Sequence, residues 1–153
     1  MTVDANMTFP STRKPDGSNW SMLFLAWLIA FASTLGALYI GEVLGQTPCQ
    51  LCWYQRIAMF PLAVVLGIAC FRDDFSVRQY AIPIAFAGLA VALWHNLLYF
   101  DVVSESIQPC DETVSCSGEI MMILGWVPIP VLSLAAFGLI LIFSFLAKPR
   151  SEQ

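Results

Sequence analysis

The sequence predicts an all-α membrane protein, a four-helix transmembrane bundle with both termini cytoplasmic. Three observations carry that expectation. Hydrophobic residues make up 58% of the 153-residue chain and charged ones only 12%, against about 25% charged in an ordinary soluble domain. Four long apolar runs divide the chain, and six of its seven lysines and arginines fall on one side of those runs. The mean hydropathy of +0.72 agrees with the first. Each run approaches the ~20 residues that cross ~30 Å of hydrocarbon at 1.5 Å per residue, and a spanning segment with open ends must be a helix because lipid offers no partner to free backbone groups.

The elements follow in order. Residues 1–19 form a polar tail with Arg13 and Lys14. The first run, residues 20–40, carries no charge and outlasts the 7 to 15 apolar residues of a cleavable signal, so it reads as a retained span. An outer connection, residues 41–52, leads to the second run, 53–71, which contains Pro61. That proline removes one backbone bond and crowds the carbonyl of Ile57, predicting a kink that opens a slot. Arg72 and Arg78 occupy the short inner connection before the third run, 80–100. A second outer connection, 101–125, precedes the fourth run, 126–147, where Pro128 and Pro130 suit a helix entry. Within that connection, Ile120 to Gly125 reads as a short amphipathic segment lying on the membrane. Lys148 and Arg150 lie in the closing stub, 148–153. Domain organisation is therefore a single four-span unit, 20–147, between two cytoplasmic ends. Trp20, Trp53 and Trp126 each open a span as interfacial anchors. Lysine and arginine mark the cytoplasmic side, so both outer connections, which lack them and hold Glu42, Asp101, Glu105, Asp111, Glu112 and Glu119, face the opposite way. Those acids show no metal-ligand spacing and read as a solvated face.

Four of the five cysteines share that outer side: Cys49 and Cys52 in the stretch CQLCWYQR, and Cys110 and Cys116 in the second connection. The compartment is oxidising in a bacterial cell, so disulfides persist there. Two structural readings compete with a redox one. Loop-stapling disulfides gain little here, since closing so short a loop contributes only ~2 kcal/mol. A four-thiolate zinc site needs tighter spacing than Cys110 and Cys116 provide. A CxxC ring is the usual form of an exchange-active dithiol. Cys70, alone at the inner end of the second run, reads as a small buried apolar residue.

Arg56 is the one basic residue outside the cytoplasmic set. It lies four positions, about one turn, after Cys52. A fixed positive charge there favours a thiolate and an anionic electron acceptor, whereas an arginine merely snorkelling to the interface is the plainer alternative. His95 lies in LWHNLLYF of the third run, and an ionisable residue inside a span points to function; the competing reading is a histidine bonded to a neighbouring helix, with Asn96 beside it.

CQLCWYQR at the head of a span, as the first of two outward cysteine pairs in a four-span chain, resembles the disulfide bond formation protein B family (DsbB). The short Cys110 to Cys116 interval is more similar to its compact BdbC-like members. The resemblance covers the membrane core and implies a direction for electrons. A soluble thioredoxin-fold oxidase of the DsbA type gives them to Cys110/Cys116, with Cys110 at the partner-bonding position. They pass to Cys49/Cys52, and Cys52 hands them to a membrane quinone, ubiquinone or menaquinone. Arg56 then matches the family's quinone-contacting arginine, and His95 a histidine some members place near the quinone carbonyl. The implied location is the bacterial cytoplasmic membrane with the active cysteines outside. Neither a metal nor nucleic acid is expected, and no nucleotide-binding glycine motif or Ser-His-Asp set is visible. The vitamin K epoxide reductase type shares the span count, thiol pairs and quinone but places the loop pair before CxxC, the reverse of this order. A tetraspan scaffold with structural disulfides is the non-enzymatic alternative.

Overall fold

The computed structural model of the chain describes residues 17–100, 102, 122–123 and 127–147. Its helices are α1 (Gly17–Leu38), α2 (Gln50–Arg72), α3 (Arg78–Tyr99) and α4 (Ile129–Leu146). All four, with their flanking turns, are long and apolar enough to cross a membrane. The expected second thiol pair, Cys110 and Cys116, lies outside the described residues, as do the tail before residue 17 and the stub from residue 148.

Helix ends explain where the described elements begin and stop. α1 does not end cleanly: a π-helical turn, Tyr39–Val43, continues it, and the wider turn alters which carbonyls the helix itself can satisfy. α2 starts earlier than hydropathy suggests. Cys49 is its N-cap, in an extended conformation, with its sulfur accepting from the backbone N–H of Cys52. The CxxC spacing is thus also the spacing from a cap to the third helical residue, where a side-chain acceptor relieves an orphan amide. At its far end Asp73 adopts the left-handed conformation (φ 50°) and closes α2, a geometry Asp tolerates better than most residues. Asp74 then caps a single 3₁₀ turn, Phe75–Val77, through the N–H of Ser76, and α3 follows directly. Pro128 caps α4 and Pro130 sits in its first turn, where a missing N–H costs little. Before it, Met122–Ile123 (β1) pairs antiparallel with Val127–Pro128 (β2). Two residues of the expected surface-lying segment are thus extended and paired.

The bundle is a closed ring. α1 packs on α2 and α4, and α3 packs on the same two helices. Neighbours run in opposite directions, as bonds at the two ends show. At one end Trp20 Nε1 donates to the Cys70 carbonyl and Arg78 Nη2 to the Phe145 carbonyl. At the other, Arg56 Nη2 donates to the Ala37 carbonyl and Asn96 Nδ2 to the Pro130 carbonyl.

Between the helices the residues are small. Ala26, Ala30, Ala81, Ala85 and Ala92 are buried, and small residues allow the close approach on which membrane helices depend. The absent side chain matters at Gly88: a Cβ there would overlap the ring of Phe137, which is itself fully buried. The outer surface is the reverse of a soluble protein's. Leu28, Phe31, Ile57, Phe71, Phe86 and Phe145 are all exposed, a girdle that is stable only against hydrocarbon.

Candidate functional site: a capped dithiol between three helices

The site grows from the N-terminus of α2. Because Cys49 caps the helix and Cys52 is its third residue, the two sulfurs face each other 2.7 Å apart. Cys49 is 1% exposed and Cys52 half-buried. With Leu51 and with Leu98 of α3, Cys49 forms a small apolar cluster that Cys52, Val91 and Trp94 border. The dithiol therefore sits at a helix end, in the positive half of the α2 dipole, within a largely dry setting.

His95 approaches from α3. Its side chain is fully buried, with Nε2 3.9 Å from Cys49 Sγ and Nδ1 3.1 Å from the amide nitrogen of Gln55. Both ring nitrogens are engaged inside the protein. The Cys49 sulfur meanwhile accepts the Cys52 N–H at 3.3 Å. Hydrogen bonding from the Cys52 side chain holds the Cys49 thiol well below the usual thiol range, burial works against it, and His95 and the Cys52 backbone lower it further.

Arg56 lies on the other flank of α2. Its Nη2 donates to the Ala37 carbonyl at 2.9 Å, and its guanidinium carbon lies 5.5 Å from the centre of the Trp53 ring, inside cation–π range. Gly41, within the π-helical turn, leaves the space this guanidinium fills: a Cβ there would come 3.3 Å from Nη1. The irregular end of α1 and the arginine of α2 are thus fitted to each other. On the opposite flank, Tyr54, Ile57 and Pro61 of α2 and Ile84, Gly88 and Val91 of α3 line an open apolar groove of about 430 Å³. Pro61 lines this groove, on the α3 side and away from Arg56, within a continuous α2.

The structure brings Cys49, Cys52 and His95 together and sets Arg56 one turn along on the α1 side. It also adds Gln55, which the sequence reading passed over. Its signal was a polar residue in an apolar helix; 8% exposed, it is too costly to bury without a partner. The donor atoms of Cys49, Cys52 and His95 lie within 4.8 Å of one another, a set a thiophilic ion accepts in type. A CxxC dithiol beside an imidazole is equally the donor set of thiol exchange, so the cluster by itself makes no metal centre.

A protein-family model described as "Disulfide bond formation protein DsbB" matches residues 19–147. The chain is similar to a "Probable disulfide formation protein" of Metapseudomonas resinovorans, 50% identical over 139 residues that cover 90% of this chain and 96% of that protein. It is similar also to "Disulfide bond formation protein C" of Bacillus subtilis (strain 168), 42% identical over 131 residues, covering 86% and 95%. A "Probable disulfide formation protein" of Deinococcus radiodurans is 45% identical over 139 residues, covering 85% and 89%. No solved structure matches the chain.

Proposed function

The chain belongs to the DsbB family of disulfide bond formation proteins, multi-pass membrane proteins of bacteria that form disulfides, and from that premise we propose that it is a thiol:quinone oxidoreductase serving a soluble thioredoxin-fold oxidase. The observation that carries the reading is the capped CxxC pair, with an imidazole on one side and a guanidinium on the other, at the end of the bundle away from Arg72 and Arg78. By the positive-inside rule that end faces outward.

The reduced partner's dithiol gives two electrons to the Cys110/Cys116 disulfide, and its own sulfurs close. The loop dithiol then passes the electrons to the Cys49–Cys52 disulfide by thiol–disulfide exchange. A membrane quinone supplies a two-electron, two-proton acceptor, and the residues present suit it: a guanidinium free of any carboxylate partner among the described residues, next to an indole and one turn from Cys52. Arg56 favours negative charge on an acceptor at that face. His95, its nitrogens committed to Gln55 and Cys49, serves the dithiol in this reading in place of the quinone contact that the resemblance implies. Cys49, its charge supported by three donors, closes the disulfide again when electrons leave Cys52. The pair stands at the boundary of the membrane because the donor arrives in water and the acceptor in lipid.

The test is trapping. A thioredoxin-fold partner that keeps only its attacking cysteine opens the Cys110/Cys116 disulfide, bonds to Cys110 as Cys116 leaves as a thiol, and has no second thiol with which to close its own disulfide and release the adduct. Stable expression of both proteins without such an adduct on non-reducing gels would refute the proposed partner class.

A further inference from the structure

We propose that Gln55 is a positioning residue of the dithiol: its amide Nε2 donates to Nδ1 of His95 and so commits the ring to carry its proton on Nε2, as a hydrogen-bond donor to Cys49 Sγ. The inference rests on the redox reading of Cys49 and Cys52 given above.

The argument is one of donors and acceptors. A neutral imidazole has one N–H and one bare nitrogen. An amide nitrogen only donates, so the ring atom facing it at 3.1 Å must be the bare one. The proton is then on Nε2, the atom that faces Cys49 Sγ at 3.9 Å. With the opposite assignment the ring would be a proton acceptor toward the thiol, a general base. The geometry makes it a donor, and the sulfur's other partners agree, since the Cys52 N–H also donates to it. Among the described residues Cys52 is the other titratable group at Cys49, and Arg56 is turned away to α1. Gln55 is buried in an apolar helix, where an amide needs a hydrogen-bond partner, and His95 is the partner the structure gives it.

A fixed donor changes the chemistry in one direction. When the Cys49–Cys52 disulfide is reduced, its S–S bond breaks and two electrons arrive from the loop dithiol, whose sulfurs join. Of the two protons released there, one goes to Cys52 and the other to water, leaving Cys49 as thiolate. The ring proton stays on Nε2 throughout and stabilises that thiolate. Stabilising the reduced form makes the disulfide a stronger oxidant, the property a terminal oxidase needs.

His95 is the chain's one histidine, so labelling histidine with ¹⁵N in the full-length protein yields a single imidazole. With Cys110→Ala and Cys116→Ala present and Cys49/Cys52 reduced, the spectrum is expected to show Nδ1 bare and Nε2 protonated. Gln55→Glu, whose carboxylate only accepts, is expected to put a proton on Nδ1. Gln55→Leu is expected to release the ring into a mixture of tautomers and shift the equilibrium with glutathione about tenfold toward the disulfide, some 30 mV for a two-electron couple. A protonated Nδ1 in the parent protein would overturn the proposal even if neither variant folds. So would a Gln55→Leu protein of reduced thermal stability whose tautomer and glutathione equilibrium are unchanged, the signature of a purely structural amide. These readouts need neither quinone nor partner oxidase, so their failure is distinct from failure of the function proposed above.

Discussion

At the scale of single residues, Arg56 and Cys49 carry the clearest expectations. Arg56→Met keeps the helix but removes the charge that, in the proposed function, meets an electron acceptor near Cys52. A charge-assisted interaction of ~2 kcal/mol corresponds to roughly thirtyfold in the quinone concentration required. Arg56→Lys falls between, keeping charge without the planar fork that reaches the Ala37 carbonyl. Oxidation of a reduced partner across a range of quinone concentrations measures both, and unchanged kinetics in Arg56→Met would leave Arg56 as an interfacial anchor. For Cys49 the folded thiol titrates below its unfolded value. Its contribution to the stability of the reduced protein is therefore fully present above the unfolded pKa of about 8.5 and is lost as pH falls through the lower folded value. Thiolate absorbance in the ultraviolet, taken as the difference between the parent and Cys49→Ser, should persist well below pH 8.5; a midpoint at the ordinary thiol value would contradict the hydrogen-bond geometry. Cys49, Cys52, Arg56 and His95, which the structure places near one another, stood out in the sequence because each is chemically conspicuous in an apolar context. Gln55 gave only the weaker signal of a polar residue in an apolar helix, and its contact with His95 exists only once α3 brings the ring beside it.

At the scale of elements, the sequence showed four spans, and the helices that carry them begin and end within a few residues of the apolar runs. The second apolar run opens at Trp53, yet α2 begins at Gln50, since the Cys49 sulfur can do the work of a capping hydroxyl. The π-helical turn of α1 was equally invisible: nothing within Tyr39–Val43 announces it, and its fit to Arg56 depends on a residue in another helix. Contacts between helices rest on small residues, and Gly88 tests this directly. Gly88→Ala drives a methyl into the Phe137 ring, and overpacking of this kind costs typically 1–3 kcal/mol. The unfolding midpoint in a mixed-micelle titration should fall accordingly, and Phe137→Leu in the same chain should recover part of the loss. No change in Gly88→Ala would mean that α3 and α4 pack less tightly than described.

At the scale of the whole molecule, composition fixed the solvent and the charge bias suggests the orientation. The ring order of the helices was only partly legible, because short connections make neighbours antiparallel but do not say which pair closes the ring. Orientation is open to a direct test. In a chain stripped of its native cysteines, Glu42→Cys and Gln79→Cys place exposed thiols at opposite ends of the bundle. A membrane-impermeant maleimide added to intact cells should label the first and reach the second only after the membrane is opened; the reverse pattern would invert the topology. One further consequence follows from the sulfur that caps α2. In the proposed function, folding and electron transfer share an atom there. Charge on Cys49 strengthens the cap, because a charged acceptor holds an amide more tightly than a neutral one, and drawing that charge into a disulfide weakens it. The first turn of α2 is therefore expected to be firmer in the reduced molecule than in the oxidised one, as amide exchange of Cys52 in the two states would show. A substitution that frays this helix end will look like a redox defect, and an oxidant will look like a loosening of secondary structure.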